Sequence, residues 1–195
     1  MPLELPSQPG PATMSIGMVR AANDLSPAFA GADQQIRRKG SRYALTFTMP
    51  SLDYVSAMPW MTDLAAEGET VVMEVYQPGL VIPAAGSPMA NGTGQAGATL
   101  SIKGLPVGYA IRKGQFFSII TGAQRYLYRA AQAVNANTSG VASVPLQTML
   151  RRPTVDGDVI EIVTPKIEGF VRDFDDPEVQ VDHEVVLTFT IRERR

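Results

Sequence analysis

The sequence contains no cysteine and a single histidine, His183. Thiolate metal sites, iron–sulfur clusters, disulfide frameworks and thiol nucleophiles are therefore excluded, and so are most metal centres built on two or three imidazoles. Charged residues make up 18% of the chain, below the roughly 25% that is usual in soluble domains. This shortage of charge favours a protein whose surface is partly covered by partners.

A strong charge of one sign and a long apolar run are missing as well. The chain carries 17 basic and 19 acidic side chains, so its net charge of −2 provides no overall field for nucleic acid. The longest apolar stretch, 80–90, is interrupted by proline and glycine and is far shorter than the ~20 residues that cross a bilayer. The N-terminus lacks the apolar core of a signal peptide. We expect synthesis in the cytoplasm, no membrane partner and no nucleic-acid partner.

The distribution of glycine and proline points to β structure. These residues, 17 and 15 in number, fall between short alternating apolar segments, which is typical of a β-rich chain with many turns. The clearest strand is 41–49, and its central tetrapeptide Leu-Thr-Phe-Thr returns within 184–191. The shared alternation predicts two strands of one sheet with the same apolar positions in its core. Those positions are Leu45, Phe47, Leu187 and Phe189.

One helix is predicted, over 51–67. Either Ser51 or Asp53 can cap its start. Pro59 in its interior predicts a kink or two short helices, because proline removes a backbone hydrogen bond. Trp60 is expected on the core or interface face of this helix.

The chain divides by composition into two parts. A stretch rich in proline, glycine, alanine and serine, 77–97, is typical of a linker or long surface loop. Short strands resume over 98–164, which predicts a small antiparallel barrel or sandwich. We therefore predict a mainly β fold in which residues 1–78 and 166–195 form a β domain with the helix, and residues 79–165 form an inserted β module.

None of the motifs associated with catalysis or ligand binding occurs with the neighbouring residues or secondary structure that its function requires. The segment 92–97 matches the G-x-G-x-x-G pattern, but a strand follows it, whereas phosphate binding requires a helix start. We expect a flexible loop there. His183 has acidic neighbours, but the chain has no nucleophile elbow, so it is interpreted as a strand-edge histidine. We predict no catalytic residues, no cofactor and no metal.

An acidic run near the C-terminus offers hard oxygen ligands for Ca²⁺, but EF-hand spacing and its glycine are missing, which favours a solvated turn. The run consists of Asp173, Asp175, Asp176 and Glu178. The basic clusters lack the interleaved aromatic residues that stack on bases, so interface ion pairs or solvated turns are the better interpretation. These clusters are Arg37, Arg38, Lys39 and Arg42, and the pair Arg151 and Arg152.

Several short segments stand in an informative order. In the first module they are Ser-Pro-Ala-Phe at 26–29, Thr-Met-Pro at 48–50 and the helix with Trp60. In the second they are Arg-Lys-Gly-Gln-Phe-Phe-Ser-Ile at 112–119, Arg-Tyr-Leu-Tyr at 125–128, Ala-Asn-Thr-Ser-Gly at 136–140, Thr-Met-Leu-Arg-Arg-Pro at 148–153 and Pro-Lys-Ile-Glu-Gly-Phe-Val at 165–171. Over nearly the full chain, this order resembles that of the distal tail proteins of tailed bacteriophages and related gene-transfer particles.

The resemblance implies a structural virion protein without enzymatic activity. It would form a homo-oligomeric ring, usually a hexamer, that joins the tail tube to the tail tip or baseplate. Its partners would be its own copies and other proteins of the tail tube and tip. In such a ring we expect the helix-bearing domain to supply the subunit contacts and the inserted module to face outward or toward the next component. The expected interface residues are Arg37, Arg38, Arg42 and Trp60.

Two other functions stay open. A carbohydrate- or receptor-binding accessory module of the tail would bind sugar through exposed aromatics, here Tyr109, Tyr126 and Tyr128. A tail-associated polysaccharide hydrolase would use acidic residues, here Asp173, Asp175 or Glu178.

Overall fold

The computed structural model describes residues 2–25, 34–66, 68–174 and 183–194. The fold is mainly β, with 41% strand and 7% helix, and several sheets accompany one helix in the described residues. The prediction of a mainly β chain with one helix is confirmed.

The elements before the long loop are β1 (Leu3–Glu4), β2 (Thr13–Val19), β3 (Ala22–Leu25), β4 (Gln34–Arg37), β5 (Arg42–Thr48), β6 (Leu52–Asp53), α1 (Tyr54–Leu64) and β7 (Val71–Glu74). The following elements are β8 (Met89–Ala90), β9 (Thr99–Lys103), β10 (Ala110–Ile111), β11 (Phe116–Thr121), β12 (Gln124–Arg129), β13 (Val134–Asn135), β14 (Ala142–Pro145) and β15 (Ile160–Glu161). The chain returns through β16 (Lys166–Arg172), β17 (Glu184–Val185) and β18 (Thr188–Glu193).

A six-stranded sheet joins the two ends of the chain, in the order β1-β7-β16-β18-β5-β2. β1 runs parallel to β7, and the other neighbours are antiparallel. Phe47 of β5 lies opposite Phe189 of β18, which confirms that the two Leu-Thr-Phe-Thr segments belong to one sheet. The predicted strand 184–191 is split, however, because β17 pairs with β6 and β18 starts only at Thr188.

The first apolar core lies between this sheet and helix α1. Its members include four residues that are 0% exposed: Leu45, Phe47, Leu187 and Phe189. Trp60 of the helix packs against Phe189, with ring centroids 6.3 Å apart. The sheet therefore buries one apolar face of each central strand under the helix, as the alternation of the sequence requires.

Helix α1 is shorter than predicted and continuous. Its N-cap is Asp53, whose side chain accepts a hydrogen bond from the Ser56 N–H. Pro59 lies inside it and does not divide it into two helices. Proline at this position removes the N–H bond to the carbonyl of Val55, and the helix continues past that missing bond to Leu64.

A second apolar core lies among β8 to β15, which form the sheets β12-β11-β15, β14-β9-β8 and β10-β13. β11 and β12 contribute to both cores, because successive side chains of a strand point to opposite faces. Phe117 and Tyr128 belong to the second core, whereas Phe116 and Leu127 belong to the first. The two cores thus share these strands, and the division of the chain at 78/79 and 165/166 stays a prediction.

A long hairpin extends from one edge of the six-stranded sheet. β2 pairs with β5 from Thr13 opposite Thr48 to Val19 opposite Arg42. The same two chain segments continue as β3 and β4, which form a two-stranded sheet of their own in the described part of the chain. The Ser-Pro-Ala-Phe segment at 26–29 lies outside the described residues.

Candidate functional site

Glu193, at the end of β18, connects the two cores. Its side chain is 1% exposed. One carboxylate oxygen, Oε2, accepts a hydrogen bond from the Tyr43 N–H at 2.7 Å, and Oε1 accepts one from the Leu127 N–H at 2.8 Å. Arg151 donates to Oε1 through Nη2. A single carboxylate therefore links the last strand, β5, β12 and the segment after β14.

Arg151 is buried together with this carboxylate, with 6% of its side chain exposed. Its guanidinium carbon lies 4.8 Å from the ring centroid of Tyr126 and 5.8 Å from that of Tyr128. Its backbone N–H donates to the Tyr128 hydroxyl at 3.0 Å. A buried charge is tolerated when it is paired and hydrogen-bonded, and the aromatic faces add a favourable cation–π interaction.

Burial is the largest influence on the pKa of both partners. It raises the pKa of Glu193, although the charge of Arg151 and the N–H groups of Leu127 and Tyr43 act in the opposite direction. Burial also acts to lower the pKa of Arg151, but the Glu193 carboxylate outweighs it, so the pKa of Arg151 is raised. The Glu193 carboxylate therefore favours the charged form of Arg151.

A second buried carboxylate, Glu168 of β16, binds β12, the strand that also contains Leu127. It is 2% exposed and accepts a hydrogen bond from the Arg125 N–H at 2.9 Å. Arg125 and Leu127 are alternate residues of β12, the edge strand of its sheet, so their N–H groups point away from β11. Buried backbone donors need partners. Glu168 and Glu193 thus take the place of a neighbouring strand and hold β12 against the six-stranded sheet.

A cavity of about 250 Å³ lies beside this junction. Its lining includes two cationic and two polar side chains: Arg20, Arg38, Ser41 and Gln147. We refer to these four residues as the arginine cavity. Gln147 Oε1 accepts a hydrogen bond from the Tyr43 hydroxyl at 3.1 Å, which ties the cavity to the Glu193 junction. In the part of the chain that the structure describes, no acidic residue lines the cavity and neither arginine has a carboxylate partner.

The residues predicted at an interface are placed differently from one another. Arg38 is exposed and lines the arginine cavity, and Arg42 is half-buried at the start of β5. The side chain of Arg37 lies outside the described residues. Trp60 is 1% exposed in the first core, so the prediction that it contributes to a subunit interface is wrong. Its position on α1 faces the sheet and is covered by Phe189 and its neighbours.

The three tyrosines expected to bind sugar are not exposed. Tyr109, Tyr126 and Tyr128 are 5%, 3% and 2% exposed and belong to the second core. The expectation of an exposed aromatic surface is therefore wrong. The alternation of β12 turns Tyr126 and Tyr128 inward, and the Tyr109 hydroxyl donates to the carbonyl of Pro83 at 3.1 Å.

The acidic run is described only at its start. Asp173 follows β16 with a left-handed φ of 53°, and Asp175, Asp176 and Glu178 lie outside the described residues. His183 is exposed, and its carbonyl accepts a hydrogen bond from the Tyr54 N–H at 2.9 Å. Within the described ranges, no group of three His, Asp or Glu side chains is placed to hold a metal ion.

The glycine-rich segment 92–97 leads into strand β9 and not into a helix. Gln95 organises this loop, because its side-chain nitrogen donates to the carbonyls of Asn91 and Ser101 at 3.2 and 3.1 Å and its oxygen accepts from the Ser101 N–H at 2.6 Å. A phosphate cradle at a helix start is absent from this described segment.

Sequence reasoning did not identify Glu193, Glu168 or the burial of Arg151. One signal was available for Glu193. It continues the inward positions of Phe189 and Ile191 at a spacing of two, so the alternation of β18 places it toward the core.

No protein-family model matches the chain, and no curated protein matches it in sequence. Among the described residues, no helix has the length and apolar character needed to cross a membrane. The residues and their geometry therefore carry the functional proposal.

Proposed function

We propose that the protein is a structural subunit of a bacteriophage tail, similar to the distal tail proteins, that assembles with copies of itself into a ring, a hexamer, between the tail tube and the tail tip or baseplate. Two lines support the proposal. One is the order of sequence segments over nearly the whole chain. The other is the structural observation on which the proposal depends: at one side of the six-stranded sheet, strand edges have no partner strand among the described residues.

The β3–β4 hairpin is the first part of that backbone. Each of its strands is four residues long, and the two pair with each other and with no further strand among the described residues. An isolated two-stranded hairpin is marginally stable in water. Packing against another chain would therefore stabilise this hairpin.

The outer edge of β2 is the second part. Its seven residues carry no charge and no proline, and Ile16 is 45% exposed. Exposed edge strands are normally protected by charge, proline or short length, because they pair readily with other chains. The opposite edge has this protection, since β1 is two residues long and carries Glu4 between Pro2 and Pro6. One open and one protected edge suit a subunit that pairs on a defined side.

The Glu193 junction adds the rigidity that a ring component needs, because it fixes the second core to the sheet through buried hydrogen bonds and an ion pair. The carbohydrate-binding alternative loses its candidate residues, since the three tyrosines are buried.

Electron microscopy of purified phage particles tests the proposal. Tagged copies of the chain are expected as a closed ring where the tail tube meets the tip. Copies scattered singly along the tail, or a protein absent from mature particles, would overturn it. The same images give the number of subunits in the ring.

A further inference from the structure

We infer that the arginine cavity binds the acidic segment 173–178 of a second copy of this chain, in a head-to-tail contact between subunits. The inference names a contact within the proposed assembly and rests on it.

The chemistry of the cavity favours a carboxylate. Arg20 and Arg38 are exposed, have no acidic partner in the described chain, and share a cavity with polar atoms of Ser41 and Gln147. A guanidinium presents a planar fork of donors that matches a carboxylate. Two cations in one recess, with no acidic partner among the described residues, therefore favour an anionic side chain from elsewhere.

The same chain carries a matching anion. Residues 173–178 hold four carboxylates with no basic residue among them, Asp173, Asp175, Asp176 and Glu178. A recess of about 250 Å³ admits one or two side chains and no folded domain, so a short acidic segment fits its size.

Strand register places the cavity at one end of the six-stranded sheet. Val19 lies opposite Arg42 at the last pair between β2 and β5. Arg20 comes directly after Val19 in the chain, and Ser41 comes directly before Arg42. The arginine cavity is therefore at the end of the sheet where β2 finishes.

The described residues that flank the acidic segment lie toward the opposite end of the sheet. β16 finishes at Arg172, which lies opposite Thr190, two residues from the start of β18, where Thr188 lies opposite Thr48. The chain re-enters the described region at His183, which binds the Tyr54 N–H just beyond β6. Both anchors of the acidic segment are thus at the end where β5 finishes.

This separation favours contact between copies over contact within a copy. β5 has seven residues, so the two ends of the sheet are roughly 20 Å apart at ~3.3 Å per residue. That distance exceeds the ~8–10 Å over which salt screens charges. Unlike charges at opposite ends of a subunit pair when copies meet head to tail, and repeated head-to-tail contacts close into a ring when the rotation permits.

Peptide binding tests the contact without requiring the full chain to assemble. The probe is a fluorescein-labelled synthetic peptide of residues 172–183, titrated with the full-length protein at low ionic strength and followed by anisotropy. We expect saturable binding that weakens about tenfold or more in the double variant Arg20→Ala/Arg38→Ala. The matched control is Arg112→Ala/Arg152→Ala, which removes two exposed cations outside the cavity and is expected to bind like the unmodified protein.

Charge reversal distinguishes specific binding from nonspecific binding of the peptide. A peptide with lysine at positions 173, 175, 176 and 178 should bind Arg20→Glu/Arg38→Glu and not the unmodified protein. No binding of the acidic peptide, or equal weakening by the cavity and control variants, would overturn the inference. A DNA oligonucleotide that binds through the two arginines while the peptide does not would overturn it in favour of a nucleic-acid surface. Particle images decide the ring separately, so a failed contact and a failed function give different results.

Discussion

Arg151 and Glu193 lie 42 residues apart in the sequence and form an ion pair whose side chains are only 6% and 1% exposed. Desolvation of two charges is expensive, so such a pair does not by itself make a protein more stable than a well-packed apolar pair would. The pair instead fixes the relative position of two sheets, because the same carboxylate also accepts hydrogen bonds from the N–H groups of Tyr43 and Leu127, which belong to different sheets.

Removal of one partner of this pair should be strongly destabilising. We expect Glu193→Gln to lower the free energy of unfolding by ~3–5 kcal/mol, because it leaves the Arg151 charge buried and unpaired. The double variant Arg151→Met/Glu193→Leu should lose clearly less than the losses of Arg151→Met and Glu193→Leu added together. Chemical denaturation measures each of these variants.

The control for this prediction is the exposed pair Lys103–Asp156. Asp156→Asn should leave the denaturation midpoint much closer to that of the unmodified protein, since exposed ion pairs contribute little. Similar midpoints for Glu193→Gln and Asp156→Asn would show that the buried junction does not fix the two cores.

The Phe47–Phe189 pair is the centre of the first core, with ring centroids 5.6 Å apart and both side chains 0% exposed. We expect Phe47→Ala to cost ~3–5 kcal/mol of unfolding free energy through lost burial and the cavity left behind. Val186→Ala, at a position 53% exposed, is the control and should change it by less than ~1 kcal/mol. A loss below ~1 kcal/mol for Phe47→Ala would mean that this face of β5 is not in the core.

Gly169 permits the close approach of β16 and β18 next to the junction. It lies opposite Glu193, and a Cβ at this position would be 2.2 Å from the carbonyl oxygen of Arg192. Gly169→Ala should therefore cost about 3 kcal/mol, because backbone within a sheet cannot move aside cheaply. At Gly10 a Cβ would meet only the side chain of Tyr76, at 3.2 Å, so Gly10→Ala should be milder. Equal thermal midpoints for the two variants would contradict this account.

Stability should fall at alkaline pH. Burial, and next the charge of Glu193, raise the pKa of Tyr43, and burial raises the pKa of Tyr128 as well. The unfolded chain ionises its tyrosines near pH ~10, whereas these two phenols stay protonated in the folded protein. Their contribution to stability is thus complete below pH ~10 and is lost as the pH rises toward the folded-state values.

Denaturation midpoints over a pH series, with Tyr43→Phe beside the unmodified protein, measure this loss. Tyr43→Phe should lose about 1 kcal/mol at neutral pH with its hydrogen bond to Gln147, and then decline less steeply above pH ~10. An identical slope in both proteins would show that Tyr43 ionises freely in the folded state.

The fold was predictable from sequence where burial of one face produces alternation. Short strands were predicted over 98–164, where β9 to β15 lie, and β5 was predicted at 41–49 against Arg42–Thr48. β2 was missed because much of it is exposed and Gly17 interrupts its pattern. β16 was missed because Glu168 and Gly169 are unusual in a strand interior, and both depend on a neighbouring element that only the folded chain supplies.

The candidate site was less predictable for the same reason. Arg151 followed by Arg152 reads as a solvated basic turn, and nothing local distinguishes the buried arginine from the exposed one. Its burial depends on Glu193 and on the ring of Tyr126, which reach it from distant strands. Long-range pairing of this kind leaves no spacing in the sequence.

The open edge of β2 provides the most direct test of how subunits pair. We expect Ile16→Lys to fold with nearly unchanged stability, because the side chain is 45% exposed, and to prevent ring formation, because a charge on an edge strand blocks pairing with another chain. Val81→Lys is the matched control, since Val81 is 82% exposed and lies outside every strand. Thermal unfolding checks the fold, and electron microscopy of particles made with each variant checks the ring. If Ile16→Lys subunits enter intact rings as efficiently as Val81→Lys subunits do, β2 is not the pairing edge, and the contacts of the ring must come from the hairpin or from the arginine cavity.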